Sequence, residues 1–372
     1  VVTAKDYKGK METDIMSRIE GLVTGLVNYD NQISIRGVST VYGNRDPLYV
    51  VDGIPYEGKI EAINPADVEN ISVLKDATAA SIYGARAANG VIVITTRSGK
   101  SGKTRITYDG SVKFKPLPDL DYLKLMNSSE LVDLQVEGFE YYHTPYANLN
   151  KRVSQNEVIE LLYMAEQGQI TDSDLQQKLD VYRNLDNKDQ IKDVFLRTAI
   201  THQHNLSLSG GTEKNNYLVS LNYYGNNPYE KNRSDERIGF TLKENVKFFE
   251  WLSADFGVIG SFTEDSGKNG FDDISSGGSR SNTELSLYTG GTSYQMLKNE
   301  DGSPREWRKG KSDYELDRLE SIGLLNERFY PLEELDRKHY KDKSSYYRLQ
   351  VGLNVKIIEG LTVDLRYQTE NT

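Results

Sequence analysis

The sequence of 372 residues contains no cysteine and no long apolar run. The absence of cysteine excludes disulfide bonds, thiolate metal sites and catalytic thiols within these residues. A membrane-spanning helix needs roughly 20 consecutive, mainly apolar residues, and no window of the sequence approaches that. If the protein crosses a membrane, its apolar residues must therefore follow another pattern.

Positive charge is also in the minority. The sequence has 45 Lys and Arg against 55 Asp and Glu, a net charge of −10. This balance disfavours a nucleic-acid-binding function, which needs a basic surface to displace counterions from phosphates. Only 37% of residues are hydrophobic, yet the sequence has 25 Tyr and 31 Gly. Such a composition favours a β-barrel with tyrosines at the membrane interfaces, without excluding a soluble protein.

Residues 1–100 predict a compact α/β unit. The apolar run at 48–51 is followed by Asp52-Gly53, a signal for a strand entering a tight turn. Asn64 before Pro65 is typical of a helix start, with asparagine as the N-cap. The β-branched run at 91–96 predicts a strand buried on both faces.

Residues 101–372 predict antiparallel strands in which apolar and polar residues alternate. Residues 119–195 are the exception, since their apolar residues recur at helical spacing. The predicted strands are seven: 104–114, 201–210, 215–225, 235–247, 251–264, 343–356 and 360–370.

Each predicted strand has one apolar and one polar face. Some connections are short, such as those near 210–214 and 358–360, whereas 265–340 is long and polar. Short turns at one end and long loops at the other are typical of an outer-membrane barrel. A soluble β-sandwich remains the alternative, because its strands alternate in the same way.

The number of strands indicates a partial barrel. A closed bacterial barrel has an even number of strands, at least about eight, and one that encloses a folded domain has about 22. Backbone groups left unpaired at a strand edge are not tolerated in lipid. We therefore expect further strands on residues outside this sequence, whether it is a natural fragment, a processed piece or part of a longer chain.

Three segments between residues 47 and 96 carry a distinctive sequence: PLYVVDGIP at 47–55, NPADVENISVLKDA at 64–77 and AASIYGARAANGVIVITT at 79–96. In this order and spacing they resemble the plug signature of the SusC/RagA-type TonB-dependent outer-membrane transporters. HNLSLSGG at 204–211 resembles an early barrel hairpin of the same family. The resemblance predicts a plug domain at 1–100 and the first strands and loops of an incomplete transmembrane β-barrel at 101–372.

The resemblance also implies a location, a function and partners. It implies a barrel of about 22 strands, filled by the plug, in the outer membrane of a Gram-negative bacterium. Active import of a glycan or oligopeptide would need a SusD-like lipoprotein lid, and TonB with its inner-membrane energising complex. No cofactor is implied. From the residue pattern alone, a soluble β-rich module for glycan or peptide binding or adhesion remains the alternative.

No enzymatic constellation is present in the sequence. The segment from Gly84 to Gly90 lacks the Lys-Ser/Thr ending of a phosphate-binding loop, and we interpret it as a turn. His202 and His204 share one face of a strand but have no evident third metal ligand. The acidic pairs at 272–273 and 300–301 lack the spacing of a calcium-binding loop. We therefore expect neither catalysis nor a metal site.

Two groups of residues are candidates for function. Arg36 and Asp52 follow short strands of the plug and could form charge pairs that break during transport, although a surface Arg36 and a turn-capping Asp52 explain them equally well. The other group consists of aromatic residues in a polar loop region, which could stack on sugars or peptide side chains or simply pack within the loops. They are Tyr288, Tyr294, Trp307 and Tyr314.

Overall fold

The computed structural model describes most of the chain. The described residues are 1–4, 6, 10, 14–23, 26–29, 32–35, 46–75, 81–122, 124–142, 144–268, 292–307, 310–324, 328–334 and 339–371. Among them, two large sheets account for most of the regular structure. The segment 97–101 connects the two sheets, and the predicted domain boundary at residue 100 stays a prediction.

The first sheet, here called the plug sheet, has five strands. They are β1 (Val2–Thr3), β4 (Leu48–Val51), β5 (Ile54–Pro55), β6 (Val68–Leu74) and β7 (Val91–Thr96), in the spatial order β1-β6-β7-β4-β5. Only β4 and β7 are parallel neighbours. A helix α1 (Ile15–Ile19) and a hairpin of β2 (Leu26–Tyr29) and β3 (Gln32–Ile35) pack against this sheet.

The local signals at the start of the chain form the predicted structures. Asn64 accepts a hydrogen bond from the backbone nitrogen of Ala66 at 3.1 Å and caps a 3₁₀ helix at Pro65–Asp67. Asp52 and Gly53 have φ values of 54° and 86°, and they turn the chain between β4 and β5. The strand at Val91–Thr96 lies in the middle of the sheet, where Val91, Ile92 and Ile94 are fully buried.

The second sheet, here called the wall, is an antiparallel meander of seven strands. They are β8 (Gly102–Lys115), β9 (Ala199–Gly211), β10 (Asn215–Asn227), β11 (Arg233–Phe249), β12 (Leu252–Lys268), β13 (His339–Ile358) and β14 (Leu361–Asn371). Each strand pairs with the next one in the chain, and β8 and β14 are the edges. All seven predicted strands are confirmed, and most extend beyond their predicted bounds by one to five residues.

The two faces of the wall differ in polarity. The face turned away from the plug is apolar and exposed, with exposed fractions between 48% and 70% for Ile106, Leu206, Leu221, Ile238, Phe262, Leu365 and Tyr367. The face turned towards the plug carries buried polar side chains, among them Asn205, Ser220, Thr241, Ser261 and Arg348. The alternation in the sequence thus separates an apolar outer face from a polar inner face.

Some apolar residues, among them Leu218, Ile259 and Tyr346, depart from this separation. Ile259 and Tyr346 lie on the inner face and join the core of the plug, which includes Val51, Ile71 and Ile94. Tyr346 packs edge-on against Tyr56, with ring centroids 5.6 Å apart. Burying such side chains removes apolar surface from water and stabilises the contact between the two sheets.

The connections of the wall are unequal in length. At one end they are short: 212–214, 250–251 and 359–360. At the other end, 116–198 contains α2 (Ser128–Tyr142), α3 (Glu157–Glu166), α4 (Asp172–Arg183) and α5 (Lys188–Phe195), and 269–338 contains α6 (Asp313–Ser321) and α7 (Pro331–Glu334). The short segment 228–232 is an exception at this end. The predicted asymmetry and the helical character of 119–195 are both confirmed.

Helices are not long anywhere in the described ranges. The longest, α2, has 15 residues. Across the described ranges, no helix combines the length and the apolar composition that crossing a membrane requires.

Candidate functional site

Asp52 joins the plug sheet to the wall. Its carboxylate accepts hydrogen bonds from the backbone nitrogen and the hydroxyl of Thr96, both at 2.9 Å. Lys243 Nζ on β11 lies 2.7 Å from Asp52 Oδ2, and the two side chains are only 13% and 16% exposed for Lys243 and Asp52. Asp52 is therefore both a cap within the plug and one half of a largely buried ion pair with the wall. Its role as a switch stays a prediction.

Arg348 on β13 is a fully buried cation at the same contact, with 2% of its surface exposed. Its Nη2 donates to the backbone oxygen of Val51 at 2.9 Å, and to the side-chain oxygens of Gln350 at 3.2 Å and Gln368 at 2.5 Å. Within the described residues, Nε and Nη1 have no hydrogen-bond partner, and a carboxylate oxygen of Glu370 lies 3.7 Å from Nε. Removing this counter-charge would leave a buried cation uncompensated.

Side chains of β14 donate to the same plug hairpin. Arg366 Nη1 donates to the backbone oxygen of Asp52 at 3.0 Å, and Gln368 Nε2 donates to that of Pro55 at 3.4 Å. The hairpin β4–β5 is the edge of the plug sheet, so its outward carbonyls have no further strand to pair with. Arginine and glutamine side chains of the wall donate hydrogen bonds to these carbonyls and fix the hairpin to β13 and β14.

A second polar contact lies at the 3₁₀ helix of the plug. Asn64 Nδ2 donates to Asn205 Oδ1 on β9 at 2.7 Å. Ser220 on β10 donates to the same oxygen at 3.1 Å. Because Asn205 and Ser220 are both buried, these bonds satisfy polar groups that would otherwise be costly to remove from water.

Asp67 is a buried carboxyl beside this contact, with 3% of its surface exposed. Burial raises its pKa above the ordinary value, and the polar groups of Ser220, Thr241 and Asn64 offset that rise in part. Within the described part of the chain, Asp67 Oδ2 has no hydrogen-bond partner. The plug therefore presents a carboxyl with a raised proton affinity to the inner face of the wall.

The four aromatic candidates do not share one surface. Tyr288 lies outside the described residues. Tyr294 is fully buried among α2, α3 and α4, where its hydroxyl donates to Gln135 at 2.9 Å. Trp307 is partly buried and donates its indole N–H to a backbone oxygen at 2.9 Å, whereas Tyr314 is 61% exposed. Their contact with a ligand stays a prediction, and only Tyr314 of the three described has an exposed ring.

Arg36, the second switch candidate, lies outside the described residues.

His202 and His204 lie on the outer face of β9, with ring centroids 5.5 Å apart, and the Tyr108 hydroxyl is hydrogen-bonded to His204 Nδ1 at 2.7 Å. Throughout the ranges that the structure describes, no group of three or more His, Asp or Glu side chains is placed to hold a metal ion.

The remaining motifs are structural where they are described. Asp272 and Asp273 lie outside the described residues. Asp301 accepts a hydrogen bond from the backbone nitrogen two residues on, at 2.9 Å, as in an ordinary loop turn. Gly84 and Gly90 have φ values of 66° and 92°, which favour glycine and suit the predicted turn.

Sequence reasoning missed Lys243, Arg348 and Asp67 as contact residues. Lys243 and Arg348 belong to the polar faces of their strands, and that placement was the available signal. Asp67 follows the helix-start signal of Asn64 and Pro65, where an acidic residue in the first turn is ordinary and gives no sign of burial. None of the three could be matched to its partners in the other sheet, because these lie more than 100 residues away in the chain.

Comparison with known proteins agrees with this architecture. The family profile described as "TonB-dependent Receptor Plug Domain" matches residues 1–91. TonB-dependent receptor SusC of Bacteroides thetaiotaomicron is 31% identical over 255 residues, which are 64% of this chain and 22% of SusC. TonB-dependent receptor P39 of Formosa agariphila is 30% identical over 278 residues, which are 72% of this chain and 23% of P39. The chain thus spans less than a quarter of the length of these relatives.

A solved structure shares the fold. The structure of the RagAB peptide importer in the "closed-closed" state aligns with 99% of this chain and 40% of the other, with a TM-score of 0.73 and 22% sequence identity. The "open-open" state of the same importer gives a TM-score of 0.70. The arrangement of the plug sheet inside an antiparallel wall is therefore the fold of that structure.

We predict that the Asp52–Lys243 pair contributes strongly to holding the plug. In the intact protein, Asp52→Ala leaves a poorly solvated lysine and should lower the free energy of plug unfolding by about 3–5 kcal/mol. Lys243→Met should restore part of this loss, with a coupling energy of about 1–3 kcal/mol in the double-mutant cycle. Urea unfolding of the plug, followed by limited proteolysis, measures both values.

An exposed ion pair between the end of β11 and the turn that follows it provides the matched control. Lys247 and Glu250 lie 2.8 Å apart but are 44% and 93% exposed. The same cycle on this pair should give less than about 1 kcal/mol, because water screens exposed charges. Equal coupling energies for the two pairs would contradict the proposed importance of Asp52 and Lys243.

We predict that Asp67 makes the plug less stable as pH rises. A raised pKa means that the folded plug binds the proton more tightly than the unfolded chain, so stability falls as pH increases above the ordinary aspartate value of about 3.9. Asp67→Asn keeps a neutral side chain and should flatten this part of the pH profile. The urea midpoint of the plug in the intact protein, measured between about pH 4 and pH 8, tests the effect.

Asp6 is the control for this titration. It is exposed, and hydrogen bonds from Thr3 lower its pKa. Asp6→Asn should therefore change the pH profile slightly and in the opposite sense. A profile that Asp67→Asn leaves unchanged would show that Asp67 does not titrate in this way.

Proposed function

We propose that this chain, which carries the plug domain and the first barrel strands of a SusC/RagA-type TonB-dependent receptor, acts in the active import of a large nutrient across the outer membrane of a Gram-negative bacterium. The nutrient is a glycan or an oligopeptide. The chain performs no catalysis and uses no cofactor in this function. One of its structural relatives carries the name of a peptide importer, which supports an oligopeptide as cargo.

The observation that carries this proposal is the arrangement of the two sheets. The plug sheet packs on the polar inner face of the wall, while the outer face exposes a continuous apolar surface. An apolar outer face and a polar inner face suit a sheet that lipid contacts on one side. The plug then lies where it would close the pore formed by the complete wall.

Opening such a pore requires work on the plug. Strand β1 lies at the edge of the plug sheet and pairs with β6 through only two residues, Val2 with Ile71 and Thr3 with Asn70. Tension applied by TonB to the segment around β1 would therefore act first on a strand with only two paired residues. The inner-membrane energising complex supplies the work.

Further partners complete the proposed receptor. A SusD-like surface lipoprotein would cover the end of the wall that carries α2–α7 and retain the cargo. The remaining barrel strands would pair with β8 and β14, the two edges of the wall. Outer-membrane lipid contacts the apolar outer face, and no nucleic acid takes part.

The alternative is a β-rich module that binds glycans or peptides without transport. Such a module would be a stable monomer in detergent-free buffer. The exposed apolar residues of the outer face, such as Ile106, Leu221 and Tyr367, argue against it, because contiguous exposed apolar surface of this extent indicates a contact with lipid or protein.

We predict that deletion of the gene removes growth on one class of large nutrient. The deletion strain should fail on either a protein hydrolysate or a polysaccharide hydrolysate as sole nutrient, while growing normally on amino acids and monosaccharides. A tonB deletion should give the same defect. Normal growth of the deletion strain on both hydrolysates would overturn the import function.

We predict that import requires the plug to separate from the wall. Cysteines replacing Asn64 and Asn205, whose side chains are in hydrogen-bond contact, can be joined by a short, reducible thiol crosslinker. Cells carrying this variant of the full-length receptor should stop importing when crosslinked and resume after reduction. The two single-cysteine variants, treated identically, should import normally. Undiminished import by the crosslinked receptor would show that this contact stays closed during transport.

A further inference from the structure

A cavity of about 730 Å³ separates the plug from one part of the wall. On the plug side it is lined by the segments around Asn64 and Arg97. On the wall side it is lined by inward side chains of β8, β9, β10 and β11, such as Arg105, Ser207 and Arg237. A volume of this size is in the range of ligand-binding cavities.

The lining of this cavity is net positive, whereas the chain as a whole is net negative. Seven of its side chains are Lys or Arg, and two are Asp or Glu. The chain as a whole has 45 basic and 55 acidic residues. Basic side chains are thus concentrated at the cavity, and charges of one sign around a concave, partly enclosed space focus the electrostatic potential there.

Four of these cations, Arg97, Lys100, Lys103 and Arg105, have a weak ion pair or none within 4 Å in the described ranges. Lys100 and Glu69 are 3.9 Å apart, and their side chains are 85% and 48% exposed, so this pair is weak. In the described ranges, Arg97, Lys103 and Arg105 take part in no ion pair within 4 Å. Their charge remains available to a ligand in the cavity.

The plug is attached unequally around this cavity. On the side away from it, the hairpin β4–β5 is held by Lys243, Arg348, Arg366 and Gln368. On the side of the cavity, the plug is joined to β9 by side-chain hydrogen bonds between Asn64 and Asn205 and between Arg18 and Gln203. Opening of these bonds would let β1 and β6 move away from β9 and enlarge the cavity while the hairpin stays fixed to β11, β13 and β14.

We infer that cargo passes between the plug and the β8–β10 part of the wall, and that the basic lining selects cargo bearing carboxylate groups. This inference rests on the proposed import function and names the substrate class and the path. The carboxylates could belong to acidic peptides or to uronate-containing glycans, since both offer the same group to Arg97, Lys103 and Arg105. Guanidinium groups bind carboxylates with two parallel hydrogen bonds, which favours them over neutral polar groups.

The potential in the cavity can be measured without knowing the cargo. Ser207→Cys places a thiol in the cavity lining, and Thr263→Cys places one on the inner face outside it. In the purified full-length receptor, each thiol reacts with a negatively charged sulfonate and a positively charged trimethylammonium methanethiosulfonate reagent. The measured quantity is the ratio of the two rates.

Neutralising the lining should change this ratio at one thiol only. With Arg97→Gln, Lys103→Gln and Arg105→Gln combined, the preference of the Ser207→Cys thiol for the anionic reagent should fall by about tenfold at low ionic strength. The change should shrink at high salt, because screening shortens the reach of the charges. The Thr263→Cys ratio should stay constant. Equal changes at both thiols, or none at the cavity, would overturn the inference.

Uptake tests the selection directly. Cells with the natural receptor, given the hydrolysate on which the deletion strain fails, should deplete its anionic oligomers several-fold faster than neutral ones of equal length. The triple Gln variant should lose this preference and still import the neutral oligomers. Peptide and polysaccharide hydrolysates, tested separately, distinguish the two sources of carboxylate.

The outcomes separate this inference from the function on which it rests. Uptake without a charge preference, or a preference that the triple variant retains, would overturn the selection by the cavity while leaving import intact. Normal growth of the deletion strain would instead overturn import itself.

Discussion

The contact between the plug and the wall depends on polar groups that are removed from water and paired across the two sheets. The Asp52–Lys243 pair and the bonds from Arg348 and Arg366 to plug carbonyls are the centre of this contact. Burial of such groups is unfavourable unless each finds a partner, so the partners fix the position of the plug closely. The polar inner face of the wall supplies the partners for this contact.

A polar contact suits a domain that must be both held and released. Apolar burial stabilises in proportion to area and is lost only when that area is exposed to water. A hydrogen bond or ion pair that opens is instead replaced by bonds to water, so its net contribution is only about 1 kcal/mol in many cases. The plug combines both kinds of contact, because Ile259 and Tyr346 of the wall add apolar surface to a mainly polar boundary.

The polar boundary is also uneven. Around the hairpin β4–β5, the cations of the wall are matched by carbonyls and by carboxylates such as those of Asp52 and Glu370. At the cavity beside β8, the cations Lys103 and Arg105 line the open space and have no ion pair within 4 Å in the described ranges. The same type of side chain therefore fixes the plug at one place and leaves uncompensated charge at another. The difference between the two places is whether a hydrogen-bond acceptor of the plug lies opposite the cation.

Much of the fold was predictable because its signals are local. Alternation with a period of two is a property of each strand, so it predicts all seven strands of the wall without any information on their pairing. Asn64 and Pro65 form a cap and a first turn from adjacent residues. The inward-pointing Ile259 and Tyr346 were missed, because they lie on polar faces and only the neighbouring plug makes an apolar side chain favourable there.

The strands, their two faces, the family resemblance of the plug and the place of Asp52 at a tight turn all follow from the amino-acid sequence. Tertiary structure alone decided that Asp52 meets Lys243, that Arg348 is buried against Val51 and that Tyr294 is enclosed by helices. The physical reason for this division is that composition and periodicity show only which side chains of one strand or helix prefer water and which prefer burial. Which group neutralises or covers another depends on distances between residues far apart in the chain, and folding alone sets those distances.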